Sequence, residues 1–141
     1  MNKYIIDVNI LFSAFISGRD IFKNIFFSHT FYIPDFALIE IDKYKEVILK
    51  KTKITRTQLK AFTLILFSRL TIVPRFLLSH ETIKKAYLLC KEIDEKDTMY
   101  VALSLELNVP LITRDKKLYN HLKESGFPKI LLFDEFINNF I

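Results

Sequence analysis

Ile5-Ile6-Asp7-Val8-Asn9-Ile10-Leu11 is the stretch that decides the fold. The apolar residues at its start predict a short buried strand, the strand ends at a carboxylate, and a helical pattern follows at once. In open parallel sheets, ligands bind beyond the carboxyl ends of the strands, so Asp7 is the first candidate for a site residue. The rest of the chain decides whether other acids reach the same edge.

Short apolar runs alternate with helical patterns along the whole chain. Strands that alternate with helices form parallel sheets covered on both faces, so the sequence predicts an α/β fold with a central parallel sheet. No repeat, low-complexity tract or linker interrupts the 141 residues, which predicts a single domain over residues 1–141. The predicted strands are Lys3–Ile6, Phe31–Ile33, Leu70–Val73, Leu111–Thr113 and Ile130–Phe133, and the predicted helices are Ile10–Ile16, Ile21–Phe27, Asp35–Lys50, Thr55–Ser68, Glu81–Ile93, Asp94–Leu107, Lys116–Glu124 and Asp134–Phe140.

The composition limits the classes of protein to consider. Half of the residues (50%) are hydrophobic, which is typical of a globular chain, and only 2 glycines argue against glycine-rich nucleotide-binding loops. A net charge of +5 favours a polyanionic partner. Cys90 is the only cysteine, which excludes an intrachain disulfide and favours a reducing compartment. The longest apolar run, Ala61–Phe67, is too short to span a bilayer and the start has no signal-peptide layout, so we expect a cytoplasmic protein without a membrane segment.

Several acids stand where helices are predicted to begin. Asp7, Asp97 and Asp115 each lie where a strand or loop meets a helix start, and capping of free backbone amides explains such positions. Asp94, three residues before Asp97, even imitates the first half of a capping box. Glu40 differs because it falls on the apolar side of its predicted helix, where a carboxylate is costly unless something pairs with it. A buried salt bridge to a lysine is the structural alternative for Glu40.

The same acids can also converge on one cleft. Asp7 and Asp115 end parallel strands and therefore face one edge of the sheet. Asp97 starts the helix that leads into the strand of Asp115, and Glu40 lies about a turn into the helix after the second strand. Carboxylates packed together repel and become protonated unless a cation joins them, and oxygen ligands select hard divalent ions such as Mg²⁺ or Mn²⁺. Such an ion polarises a phosphate oxygen and activates water, so the pattern predicts phosphate-ester hydrolysis.

These motifs resemble the PIN-domain nuclease family. The resemblance rests on Asp7-Val8-Asn9, on Glu40, on Asp97 with Ala102-Leu103 following, and on Thr113-Arg114-Asp115, and it spans essentially the whole chain. It implies a three-layer α/β/α sandwich whose parallel sheet has the strand order 3-2-1-4-5. It also implies a ribonuclease that depends on Mg²⁺ or Mn²⁺ and acts on RNA. The acids that the resemblance assigns to catalysis and metal binding are Asp7, Glu40, Asp97 and Asp115.

The resemblance extends to neighbouring residues and to partners. Asn9 and Thr113 match polar residues that help hold the first and fourth acids in this family, and Asp94 is an extra acid before the third. Many small solitary PIN domains are the toxins of toxin–antitoxin pairs, and many relatives form dimers. An antitoxin protein and a second copy of the chain are therefore the expected protein partners.

Basic residues follow Glu40 and flank Asp115, where they could contact an RNA backbone, although an ordinary solvated surface explains them equally well. Phe12 and Phe15 fit a core stripe better than a platform for stacking bases. The predicted RNA-binding residues are Lys50, Lys51, Lys53, Arg56, Arg114 and Lys116.

Two other functions compete with the nuclease. A phosphatase resembling the haloacid dehalogenase group would use Asp7 as nucleophile, but such enzymes need a second acid where Asn9 stands. A metal-free PIN-like scaffold that binds RNA or a protein is the non-enzymatic alternative, and the presence of all four acids weighs against it.

Overall fold

The computed structural model of the chain describes residues 2–140, and its centre is a parallel five-stranded sheet. The strands are β1 (Lys3–Ile6), β2 (Thr30–Pro34), β3 (Leu70–Val73), β4 (Leu111–Thr113) and β5 (Ile130–Leu132). Their order across the sheet is β3-β2-β1-β4-β5, and every neighbouring pair is parallel. The predicted α/β class and the strand order 3-2-1-4-5 are therefore confirmed.

Helices join the strands and cover the sheet. Short 3₁₀ turns at Arg75–Leu77 and Glu95–Asp97 precede two of the helices. Within residues 2–140, every helix falls short of the length and apolar character that a membrane span requires. The helices are α1 (Val8–Ser17), α2 (Asp20–Ser28), α3 (Phe36–Lys43), α4 (Lys45–Lys51), α5 (Arg56–Arg69), α6 (His80–Cys90), α7 (Thr98–Leu107), α8 (Lys116–Glu124) and α9 (Phe133–Phe140).

The core follows from the apolar strands in the middle of the sheet. Ile5 on β1 and Leu111 on β4 have no solvent exposure, and they are partners in the register that joins these two strands. Helix α7 is buried along most of its length, with Val101 and Leu103 fully covered. An all-round apolar helix of this kind belongs inside the molecule rather than on its surface. It holds the loop before it, which contains Asp94 and Asp97, against the carboxyl edge of the sheet.

The prediction of one helix over Asp35–Lys50 is wrong, because the chain breaks into α3 and α4 at Tyr44. This residue has φ −99° and ψ 9°, outside the α-helical region. The end of α4 is tied to α1, since the Thr52 hydroxyl donates to the Phe15 carbonyl over 2.8 Å and the Lys53 amide donates to the Ile16 carbonyl over 2.9 Å. Docking on α1 buries Ile48 and leaves Tyr44 outside the core.

The prediction of a continuous helix over Asp94–Leu107 is also wrong. Asp94 to Asp97 form a separate 3₁₀ turn, and α7 begins only at Thr98. The cause lies in Asp94, whose carboxylate accepts from the Lys96 amide over 3.0 Å while its carbonyl accepts from the Asp97 amide over 3.1 Å. These local bonds compete with helical ones, as short polar side chains commonly do.

Candidate active site

A cavity of about 330 Å³ opens at the carboxyl edge of the sheet. All four predicted acids line it, together with the neighbouring acid that the sequence left as an alternative ligand. They come from β1, α3, the turn before α7 and the end of β4, so distant parts of the chain supply one cavity. The acids in the wall are Asp7, Glu40, Asp94, Asp97 and Asp115.

Asp7 is the most buried of these acids, with 5% of its side chain exposed. One carboxylate oxygen, Oδ1, accepts from the Asn9 amide over 3.2 Å, and the other accepts from the Thr113 hydroxyl over 3.2 Å. The same hydroxyl accepts from the Asp115 amide over 3.1 Å. Thr113 therefore joins the turns after β1 and β4 through one buried oxygen, and its own side chain is fully buried.

Capping explains part of the acidic pattern. Asp7 caps α1, and Asp115 caps α8 by accepting from the Leu118 amide over 3.1 Å. Asp94 caps the 3₁₀ turn. Each of these carboxylates thus has one oxygen engaged with backbone amides, which also orients the side chain beside the cavity.

Capping does not explain Asp97, and that alternative is wrong here. Asp97 stands at the start of α7 but accepts no capping hydrogen bond. Its φ of −79° and ψ of −10° are helical, whereas a capping residue normally has extended dihedrals. The imitation of a capping box by Asp94 and Asp97 therefore has no counterpart in the structure. Asp97 is half-buried in the cavity wall.

The salt-bridge alternative for Glu40 is wrong as well. Its Oε1 accepts from the Tyr100 hydroxyl over 2.6 Å, and Tyr100 is buried on α7 with 2% exposure. Within residues 2–140 the structure has one ion pair, between Lys23 and Asp20 at the start of α2. The hydrogen bond from a neutral phenol therefore takes the place of the expected ion pair with a lysine.

The electrostatics of the cavity oppose the accumulation of negative charge. Burial, together with repulsion from Asp7, Asp94, Asp115 and Glu40, raises the pKa of Asp97 to about 7. Burial also raises the pKa of Asp7, against the lowering effect of its hydrogen bonds, and it raises the pKa of Glu40. Buried acids that repel one another are the arrangement that a divalent cation stabilises.

The donor set fits a hard divalent ion, because the acids that line the cavity offer oxygen atoms alone. In their present rotamers, however, no three His, Cys, Asp or Glu side chains of residues 2–140 form a group ready to hold a metal. Asp94 is exposed, and Glu40 and Asp97 are half-buried. The fit therefore rests on the chemistry of the donors and on their shared cavity.

The predicted basic residues do not line the cavity. Lys53 is tied to Ile16 at the far end of α1, about 14 Å from Asp7 at 1.5 Å per residue. Arg114 is exposed and its guanidinium donates to the hydroxyl of Ser13. Contacts of these residues with RNA stay a prediction, and for Lys53 they would concern phosphates some nucleotides away from the acids.

The sequence analysis missed other residues of the cavity wall. Tyr100 gave no signal, because its partner Glu40 lies 60 positions away. Lys96 stands inside the acidic run before α7, and Lys43 follows Glu40 by about one helical turn, but neither position was distinctive. The other missed wall residues are Val8 and three aromatic side chains, Phe12, Phe36 and Tyr44, whereas Asn9, which was predicted as a supporting residue, also lies in the wall.

The fold and the cavity define a class of α/β proteins that gather carboxylates at the carboxyl edge of a parallel sheet. The chain belongs to the PIN domain family, whose sequence profile matches residues 5–126. No curated protein matches the chain.

Solved structures share the fold. A toxin–antitoxin complex from Klebsiella pneumoniae contains a similar chain, with a TM-score of 0.60 and 20% identity over 91% of this chain and 95% of that one. The crystal structure of VapBC2 from Rickettsia felis, bound to a DNA fragment from its promoter, contains another, with a TM-score of 0.54 and 20% identity over 92% and 96% of the two chains. At this identity the similarity establishes the fold.

Proposed function

We propose that the protein is a metal-dependent endoribonuclease that hydrolyses RNA phosphodiester bonds. The observation that carries the proposal is the convergence of Asp7, Glu40, Asp97 and Asp115 on one cavity. No lysine or arginine forms an ion pair with any of them in the part of the chain that the structure describes. Membership of the PIN domain family adds support, since nuclease activity is typical of that family.

The four acids would hold Mg²⁺ or Mn²⁺, which supplies a polarised phosphate oxygen and an activated water when bound. Thr113 keeps the Asp7 carboxylate in one orientation, and the Tyr100 hydroxyl does the same for Glu40. Asp94 is close enough to add to the repulsion on Asp97, so either can serve as the nearer ligand. Asn9, which also lines the cavity, offers an amide side chain to a water or phosphate there.

The biological role that fits best is that of the toxin in a toxin–antitoxin pair. The two similar structures are a toxin–antitoxin complex and a VapBC2 complex on promoter DNA. An antitoxin protein is then the natural partner, a homodimer is the expected assembly, and the cytoplasm is the expected compartment. Copurification of the chain with the product of a neighbouring small reading frame checks the partner.

The decisive experiment measures cleavage of an RNA panel in Mg²⁺, Mn²⁺ or EDTA. Asp97→Asn preserves the shape of the side chain but removes its charge, so we expect cleavage to fall at least about 10³-fold. Asp134→Asn is the matched control, because Asp134 is exposed on α9 and away from the cavity. Undiminished cleavage by the Asp97 variant, or by the wild type in EDTA, contradicts the proposal.

A metal-free binding module is the second candidate, favoured by the absence of a ready metal group among residues 2–140. Titration with Mn²⁺ separates the two. Binding heat, or a rise in the unfolding temperature that Asp97→Asn abolishes, supports the enzyme. If the wild type shows neither binding heat nor a rise in unfolding temperature with Mn²⁺, the metal-free binding module is supported.

A further inference from the structure

Three aromatic side chains besides Tyr100 line the acidic cavity. Phe12 comes from α1, Phe36 from the start of α3, and Tyr44 from the break between α3 and α4. We call these three residues the aromatic rim. The rings of Phe12 and Tyr44 contact each other, with centroids 5.1 Å apart and planes inclined by 49°.

Tyr44 is more exposed than packing alone requires. The sequence places it on the apolar stripe of a continuous helix, but the break leaves 47% of its side chain open to solvent. Phe12 and Phe36 are partly buried and pack against the core. Phe12 therefore gives the exposed ring of Tyr44 a fixed support, and one aromatic surface remains available beside the acids.

Two cations complete this side of the cavity. Lys43 at the end of α3 and Lys96 in the turn before α7 both line it, and both are exposed. Neither forms an ion pair within residues 2–140. Their ammonium groups are therefore free to meet phosphates, while carboxylates, aromatic faces and amines all face the same volume.

We propose that the aromatic rim, with Lys43 and Lys96, is a subsite for one unpaired nucleotide of the RNA substrate. The base stacks on the Tyr44 and Phe12 rings, and its flanking phosphates approach the two lysines and the acids. The volume of about 330 Å³ lies within the range of small-ligand pockets. The inference rests on the proposed ribonuclease function and deepens it by assigning residues that contact the substrate.

The subsite requires that the nucleotide bound in it be unpaired. In a duplex both faces of each base are covered by neighbouring bases, so a base reaches the rim only where the strand is unpaired. Stacking on an aromatic ring tolerates every base, because each has a π-face. The aromatic rim therefore discriminates between unpaired and paired nucleotides but not between the four bases.

Cleavage kinetics of one RNA sequence, presented unpaired and inside a duplex, test the subsite. Tyr44→Ala and Tyr44→Leu should each lower kcat/KM on unpaired RNA about tenfold, mainly through KM. Leucine retains apolar contact with Phe12 but has no aromatic face, so it separates stacking from packing. Tyr44→Phe restores the ring and should recover most of the loss. Tyr87→Ala is the control, because Tyr87 is also exposed (41%) but lies on α6 outside the cavity.

Binding of short unpaired RNA to the Asp97→Asn protein provides a readout that needs no cleavage. Tyr44→Ala in that background should weaken binding about tenfold, and thermal unfolding checks that each variant is folded. Cleavage that is unchanged in the Tyr44 variants, or wild-type cleavage that is equally fast on duplex RNA, overturns the subsite alone. RNA binding that depends on Tyr44 in a protein that cleaves nothing supports the subsite and overturns the nuclease. A protein that shows neither activity overturns both.

Discussion

The two edges of the sheet are built in opposite ways. At the carboxyl edge, five acids share a cavity, and none of them forms an ion pair within residues 2–140. At the amino edge, aromatic rings pack together, with the Tyr4 centroid 5.1 Å from that of Phe136 and 5.9 Å from that of Phe31. Strand β1 joins the two, since Tyr4 lies on it and Asp7 follows its last residue.

The contrast separates what stabilises the protein from what makes it chemically useful. Ring pairs add about 0.5–1.5 kcal/mol each beyond the area they bury. Three acids at the other edge, Asp7, Glu40 and Asp97, have raised pKa values, which means that ionising them opposes folding. Substitutions at the amino edge should therefore lower stability and leave the chemistry alone, whereas neutralising these acids should lower activity and raise stability.

The largest effect on stability is expected from Phe136→Ala. Phe136 is 8% exposed and contacts Tyr4, Phe31 and Phe133, so removing its ring should lower the free energy of unfolding by about 3 kcal/mol. Cleavage per folded molecule should stay unchanged. Urea unfolding measures the loss, and Phe76→Ala, at an 83% exposed position, should cost less than about 0.5 kcal/mol. Equal losses in the two variants would contradict the contrast.

Asp97→Asn should show the opposite behaviour at the carboxyl edge. The folded-state pKa of Asp97 is about 7, against 3.8 as its ordinary value, so the folded protein holds this proton more tightly than the unfolded chain. The resulting stability is complete below about pH 4 and is lost as the pH rises through 7. In EDTA at pH 8 the variant should therefore be more stable than the wild type by on the order of 1–2 kcal/mol, after allowance for partial exposure, with little gain near pH 4.

Urea unfolding of both proteins across pH 5–8 checks this behaviour. The wild type should lose stability over that interval and the variant should lose less. The same pH dependence in both proteins would show that Asp97 is not the acid whose raised pKa makes stability fall with pH. Mn²⁺ should stabilise the wild type most at the upper end of the interval, where its acids are ionised.

A smaller effect is expected from Thr113→Val, which replaces the buried hydroxyl between Asp7 and Asp115 with a methyl group. Loss of one donor and one acceptor should cost about 1 kcal/mol. The concentration of Mn²⁺ needed for half-maximal stabilisation should rise about tenfold, because Asp7 loses its support. Thr113→Ser retains the hydroxyl and serves as the control. If the serine variant binds Mn²⁺ as weakly as the valine variant, the hydroxyl is not the cause.

The sheet could be predicted from local sequence, because each strand is a short apolar run and each crossover has a helical pattern. Asp7 and Asp115 follow directly from this regularity, since the carboxyl ends of parallel strands share an edge. The strand order was predicted from the resemblance to PIN domains, because the residues of β3 and β5 do not indicate which strands they pair with. Periodicity carries no information on order across a sheet.

The interior of the cavity could not be predicted, because its contacts are not local. The Tyr100 hydroxyl meets Glu40 across 60 positions. The break at Tyr44 arises from docking of α4 on α1, and no proline or glycine marks it in the sequence. The helical backbone at Asp97, which turns it away from capping, likewise depends on the 3₁₀ turn that precedes α7.

The place of β4 beside β1 has a consequence during translation. The Thr113 hydroxyl reaches Asp7 across 106 positions, and β4 is synthesised long after its partner β1. A nascent chain that ends before β4 has neither Thr113 nor Asp115, so its acidic pocket is incomplete. The complete set of cavity acids can therefore assemble only after β4 and Asp115 have been synthesised.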